Sequence, residues 1–151
     1  ASEAAPMLAK MIAFDGVASV TASQPLVAMG SSAKAAIPYL LQNLSNSRED
    51  VRLYSISVLG IIGPTASCAV PQIAARLWDK DAFVRSATAG ALTEITQIEL
   101  VEDDFYKLYP EGIGSVFADE PEGHITNISR DWWLTIGKDQ EWGTLNCEYS
   151  E

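Results

Sequence analysis

Two arginines and two shorter polar residues recur at one spacing, and arginine is the side chain best suited to binding anions. Arg52 and Arg85 are 33 residues apart, and so are Asn46 and Asp79. A guanidinium group binds a carboxylate or phosphate through two parallel hydrogen bonds, so a row of arginines would form an anion-binding site. Oppositely charged side chains on one surface also pair with each other. We favour this second, structural interpretation.

The sequence offers little else for catalysis or metal binding. A cysteine–histidine nucleophile would have to combine His124 with Cys68 or Cys147, and no local signature supports either pair. Two cysteines and one histidine also lack the number and spacing of zinc ligands. The acidic run at 119–122 lacks the alternating ligand pattern of a calcium loop. We therefore expect no enzymatic activity, no cofactor and no metal site.

The overall charge limits the class of partner. The chain has 151 residues, with 10 Lys and Arg against 20 Asp and Glu, and a net charge of −10. Such a surface repels phosphate backbones, so we expect no nucleic acid partner. No apolar run reaches the roughly 18–20 residues of a membrane span, so we expect a chain that does not span a membrane. The best-fitting partner is another protein or a multi-subunit complex with a basic or neutral face.

The elements that must position these residues recur with a period of 33. A less regular copy begins at Ala5-Pro6, so residues 4–97 contain three consecutive repeats. The matched landmarks of the two regular copies are Ala36-Ile37-Pro38 with Ala69-Val70-Pro71, Asn46 with Asp79, Val51-Arg52 with Val84-Arg85, and Leu59 with Leu92.

Each repeat divides into two helices. In the second repeat an apolar stripe at helical spacing precedes the polar turn at 45–47, and a second stripe follows it until Gly63-Pro64. The third repeat has the same plan around a turn at 79–81. The stripes of the second repeat are Ile37, Leu40, Leu41 and Leu44, then Val51, Tyr54, Val58 and Ile61 or Ile62.

This pattern resembles the HEAT repeat, in particular the short HEAT-like repeats of bilin (phycobilisome) lyase subunits. The resemblance implies an all-α fold: a short right-handed α-solenoid of about three helix pairs, in which each pair covers the apolar face of the next. It also implies that the matching Asp and Arg residues link neighbouring turns as a polar ladder. The first repeat departs from the pattern, because Ala18-Ser19 stand where Val-Arg is expected.

The C-terminal third does not follow the period. We divide the chain into a HEAT-like region at 1–98 and an acidic, Trp-rich extension at 99–151 that packs on the stack within one compact domain. Within the extension, apolar residues between Ile125 and Ile136 have helical spacing, with Trp132 and Trp133 among them. We expect this helix, capped by Thr126 or Ser129, to close the open end of the stack.

Cys68 and Cys147 are a candidate disulfide. In an oxidising compartment the bond would join the helical region to the extension and stabilise the fold by about 4–5 kcal/mol. In a reducing compartment the two residues would be small apolar side chains. The Ala start is compatible with signal cleavage, with trimming and with loss of an initiator Met. We expect export, to the periplasm or thylakoid lumen, slightly in preference to the cytoplasm.

We therefore predict a non-enzymatic protein-interaction module or scaffold, a subunit of or docking factor for a larger complex, with an acidic concave surface. The second helix of each pair would supply most of that surface. Trp78 and Phe83 flank the turn of the third repeat, where they are either exposed contacts or packed beneath the extension. The full set of predicted contacts is Arg52, Ser55, Trp78, Phe83, Arg85 and Thr88.

Two alternatives arise from the resemblance. One is a lyase-like or chaperone-like subunit that acts on a bilin, a linear tetrapyrrole. The other is an exported or thylakoid-lumenal accessory subunit of a photosynthetic complex, which differs from the first prediction mainly in location.

Overall fold

The computed structural model describes residues 3–97, 123–135 and 137–142. All the regular elements in these ranges are helices, which confirms the all-α prediction. The same ranges contain four 3₁₀ segments between or after the α-helices, at Gly30–Ala36, Gly63–Ala69, Ala75–Trp78 and Gly137–Asp139. The α-helices are α1 (Ala4–Ile12), α2 (Gly16–Met29), α3 (Ile37–Asn43), α4 (Glu49–Ile62), α5 (Val70–Ala74), α6 (Ala82–Thr96) and α7 (Gly123–Thr135).

The ends of these helices follow the 33-residue period. Asp15 caps α2 by accepting a hydrogen bond from the Ala18 amide at 2.7 Å, and Asp81 caps α6 in the same way. Gly30 ends α2 at φ +53° and Gly63 ends α4 at φ +76°, a backbone conformation that glycine adopts without steric strain. We refer below to residues 4–35, 36–68 and 69–97 as the first, second and third repeats.

The predicted apolar stripes form the core. Ile37, Leu40 and Leu44 of the first helical stretch are buried, as are Val51 and Val58 of α4. Their counterparts in the third repeat are buried too, among them Val70, Ile73, Leu77, Val84 and Ile95. Of the two isoleucines that the pattern left open, Ile62 is buried and Ile61 is exposed.

The main contacts between helices lie within one repeat or join the second helices of consecutive repeats. α1 packs on α2, α2 packs on α4, and α4 packs on α6. The α4–α6 contact is close because Gly60 lies against Ala91: a Cβ atom on Gly60 would be 3.0 Å from the Ala91 Cα atom. The small residues that the sequence places in α6 therefore serve a contact between consecutive repeats.

The extension contributes α7, which packs on α6 and on the 3₁₀ segment Ala75–Trp78. Trp132 is buried, and its ring lies against Gly137 and Trp133. The capping prediction was wrong, because α7 begins at Gly123 and both Thr126 and Ser129 lie inside it. The proposed boundary at 98/99, the acidic run at 119–122 and Cys147 lie outside the described residues.

One helical stretch, Glu49–Trp78, is long and apolar enough to cross a membrane by length and composition alone, with a mean hydropathy of 1.6. The same criteria also select core helices of soluble proteins, and 56% of the apolar window is buried inside the fold. The stretch is also interrupted at Gly63, whose positive φ ends α4. It is therefore weak evidence for a membrane span.

Candidate functional site

Three of the six predicted contact residues are buried. Arg52, Ser55 and Thr88 are inaccessible to a partner, so the prediction that they form a docking surface was wrong. Ser55 and Thr88 lie four residues after Val51 and Val84, on the face of each second helix that packs into the core. Thr88 satisfies its hydroxyl within its own helix, donating to the Val84 carbonyl at 2.7 Å.

Arg52 forms a buried ion pair with Asp79 of the next repeat. Its Nε and Nη2 atoms donate to the two carboxylate oxygens of Asp79, each at 2.9 Å. The side chains of Arg52 and Asp79 are only 4% and 2% exposed. A third donor, Arg52 Nη1, reaches the Asn46 carbonyl at 2.8 Å. This arginine therefore has the structural role that we favoured over anion binding.

Asp79 remains ionised in this environment. Burial alone would raise the pKa of its carboxyl group. The hydrogen bond from Arg52, the backbone hydrogen bond from Asp81 and the positive charges of Arg52 and Arg76 together outweigh burial. The net effect is a pKa below the usual 3.8.

Arg85 occupies the position of Arg52 one repeat later, with a different environment. Its Nη1 atom donates to the Asp79 carbonyl at 2.9 Å, which matches the bond from Arg52 to Asn46. It also reaches the Lys80 carbonyl at 3.3 Å. Arg85 is only half-buried, and within the described part of the chain no carboxylate forms an ion pair with it.

Arg130 of α7 contacts the two residues that precede the turn at 79–81. Its Nε atom donates to the Leu77 carbonyl at 2.7 Å, and its guanidinium carbon is 5.7 Å from the centre of the Trp78 ring. Arg130 was not among the predicted site residues, because the extension falls outside the 33-residue register. As an arginine it could have been recognised as a possible binding residue, but no periodic pattern in the sequence relates its position to that of Trp78.

Trp78 and Phe83 are accessible. Trp78 is 48% exposed and Phe83 is 69% exposed, on either side of the turn at 79–81. The extension touches Trp78 through Arg130, whereas Trp132 packs against Trp133 and Trp142. Of the two alternatives for these aromatics, exposure is the one observed. We call Trp78, Phe83, Arg85 and Arg130 the aromatic–arginine patch.

Arg85 and Arg130 are two positive charges of the patch, and the first acts on the second. Burial lowers the pKa of Arg130, and the nearby charge of Arg85 lowers it further, while Asp131 opposes the shift. Residues 1–97 contain seven acidic and seven basic side chains, so this region is formally neutral. The remaining thirteen acidic and three basic residues lie in 98–151 and account for the whole net charge of −10. The acidic charge from which we predicted an acidic surface therefore comes from residues 98–151.

Within the described ranges, no group of three His, Cys, Asp or Glu side chains is placed to hold a metal ion. Cys68 is disulfide-bonded. Cys147, the other cysteine of the sequence, lies outside the described residues, as does the side chain of His124.

Comparison with protein-family models, with curated proteins and with solved structures finds no match for this chain. The resemblance to HEAT repeats therefore rests on the landmarks of the 33-residue period. Because such folds host many roles, the aromatic–arginine patch is the feature from which a function can be inferred.

Proposed function

We propose that this chain is a non-enzymatic protein-interaction module that binds its partner through the aromatic–arginine patch. In this proposal the helices form a short right-handed α-solenoid of HEAT-like pairs, and the chain is a subunit of, or docking factor for, a larger complex. The 33-residue period and the neighbour-to-neighbour packing of α2, α4 and α6 support the solenoid.

The exposure of Trp78 and Phe83 is the observation that carries the proposal. Both are large apolar side chains next to a well-packed core, and both remain accessible. Tryptophan and arginine dominate the binding energy of protein interfaces because each offers a large contact area together with a polar group. The patch contains two arginines, and one of them, Arg130, lies over the Trp78 ring.

The arginines of the patch are also held in place before any partner binds. Arg85 is anchored to the Asp79 and Lys80 carbonyls, and Arg130 is anchored to the Leu77 carbonyl. Long side chains normally lose conformational entropy when an interface forms. Anchoring reduces that loss, so these two side chains suit a binding role better than free surface arginines.

A photo-cross-linking experiment tests the proposal with a matched control. Val17 and Phe83 are 66 residues apart, which is two periods, and each lies near the start of a second helix. Both are highly exposed, at 79% for Val17 and 69% for Phe83. A benzophenone amino acid placed at either position therefore samples an equivalent environment at a different repeat.

We expect the probe at position 83 to cross-link one defined protein in an extract of the native source, identified by mass spectrometry. The probe at position 17 should not capture it, and excess unmodified chain should compete. Trp78→Ala in the position-83 chain should reduce the yield. Equal capture from both positions, or none from position 83, would contradict the proposal.

A further inference from the structure

The contact between the second and third repeats shows how this fold holds a carboxylate. Two arginines surround Asp79: Arg52 binds both carboxylate oxygens, and Arg76 Nη1 lies 3.4 Å from Oδ2. Arg76 Nη1 also donates to the Leu44 carbonyl at 3.2 Å. The carboxylate is thus held by one arginine from the preceding second helix and one that is anchored on the preceding repeat.

Both arginines have counterparts at the end of the third repeat. Arg85 is the counterpart of Arg52, at an offset of 33 and with an equivalent bond to its own turn. Arg130 is the counterpart of Arg76: it donates to the Leu77 carbonyl, and Leu77 lies one period after Leu44. Arg85 and Arg130 therefore repeat the backbone contacts that Arg52 and Arg76 make one period earlier.

The position of α7 that corresponds to Asp79 holds no carboxylate, although the charge of Asp131 acts on Arg130. In the third repeat Asp79 follows Arg76 by three residues, whereas the residue three positions after Arg130 is Trp133. Trp133 is half-buried and packs against the core. Among the described residues, no ion pair involves Arg85 or Arg130.

We propose that Arg85 and Arg130 bind an aspartate or glutamate side chain of a partner protein, and that Trp78 and Phe83 cover apolar residues next to that carboxylate. This inference rests on the proposed function and specifies the chemistry of the partner. A negative charge between the two guanidinium groups would relieve the repulsion that they exert on each other.

The test uses the full chain and two short peptides as probes. One is acetyl-Gly-Asp-Phe-Asp-Gly-amide, and the other replaces both aspartates with asparagine. Nuclear magnetic resonance follows the Nε–H signals of Arg85 and Arg130 and the indole N–H signal of Trp78. We expect the acidic peptide to shift all three signals saturably and to bind about tenfold tighter than its asparagine counterpart.

Three controls separate carboxylate binding from other causes. The double variant Arg85→Gln with Arg130→Gln should lose about tenfold in affinity, whereas Arg48→Gln, which removes one positive charge in the second repeat, should not. Added salt should weaken only the acidic peptide, and this measurement needs no variant. Equal binding of the two peptides, or undiminished binding to the double variant, would overturn the proposal.

The acidic residues of this chain are the competing occupant. A variant with Glu102→Gln, Asp103→Asn and Asp104→Asn removes one of their runs. If this variant bound the acidic peptide and the native chain did not, the arginines would already be occupied by the chain itself, and the partner proposal would fail. If the probe at position 83 still cross-linked its partner, the proposed interaction function would be retained and only the proposal of carboxylate binding would fail.

Discussion

Arg52 and Arg85 occupy the same position in consecutive repeats, and their surroundings differ in one respect. Each donates to a carbonyl of its own turn, at 2.8 Å for Arg52 and 2.9 Å for Arg85. Arg52 is also buried against Asp79, which the next repeat supplies. Arg85 is followed by the extension, and within the described residues it has no carboxylate partner.

The difference shows that the role of this arginine depends on the element that follows its own repeat in the chain. Between two repeats it neutralises a buried charge and links the repeats. In the third repeat the same side chain is half-exposed, and Trp78 and Phe83 of that repeat are exposed too. Ser19 completes the series: at the position of these arginines in the first repeat, its hydroxyl donates to the Ile12 carbonyl at 2.6 Å.

The largest expected effect is on the buried ion pair. Asp79→Ala leaves the Arg52 charge buried without a partner, which should lower the free energy of unfolding by about 3–5 kcal/mol. Arg85→Ala removes a half-exposed side chain with no ion pair among the described residues, and should cost less than about 1 kcal/mol. Urea unfolding followed by circular dichroism measures both, and equal losses would contradict the distinction.

A smaller effect is expected where α4 meets α6. Gly60→Val places a side chain against the Ala91 backbone, and should lower stability by about 1–3 kcal/mol. A Cβ atom on Gly90 would meet nothing from a neighbouring element within 4 Å, so Gly90→Val should change stability by no more than about 0.5 kcal/mol. Similar losses for the two variants would argue against close packing of consecutive repeats.

Removing or adding a helix-capping side chain should change the free energy of unfolding by about 1 kcal/mol. Asp81 caps α6, whereas Arg48, one period earlier, makes no side-chain capping bond to α4. Asp81→Ala should lower stability by about 0.5–2 kcal/mol, and Arg48→Asp should raise it by a similar amount by creating the missing cap. Thermal unfolding of the two variants measures this, and a loss in both would contradict it.

Much of the fold was predictable because the period fixes equivalent positions. The glycines that end α2 and α4, the stripes of the second and third repeats, and the all-α class are all consequences of it. The burial of Ser55 and Thr88 could also have been predicted. Their hydroxyl groups are typical of a surface, but their spacing from Val51 and Val84 places them on the packed face.

The site was predicted only in part. Trp78 and Phe83 were identified from residue type and from their place beside a turn, and Arg85 from the period. Arg130 was missed because its contact with Leu77 joins residues 53 positions apart, a separation that no periodic pattern encodes. The charge of the repeats was also misjudged, since a whole-chain value hides the concentration of acidic residues after position 97.

The smallest expected effect is on how the free energy of unfolding depends on acidic pH, and this effect distinguishes Arg52 from Arg85. The folded-state pKa of Asp79 lies below its usual 3.8, so its contribution to stability is fully present above that value. The contribution is lost as the pH falls from that value through the lower, folded-state pKa, because over this interval the unfolded chain binds more protons at this site than the folded chain does. Asp79→Asn should remove this part of the acid dependence, as measured by urea midpoints at a series of pH values.

Arg85→Gln should leave the same dependence unchanged, because in the described part of the chain Arg85 contacts the Asp79 carbonyl and forms no ion pair with a carboxylate. Asp79→Asn removes one negative charge, and Arg85→Gln removes one positive charge. Their separation at low pH would therefore depend on the Arg52–Asp79 pair itself. If both variants reduced the dependence of the urea midpoint on acidic pH equally, Asp79 would have to be held by Arg85 as well. Arg85 would then no longer be available to a partner carboxylate.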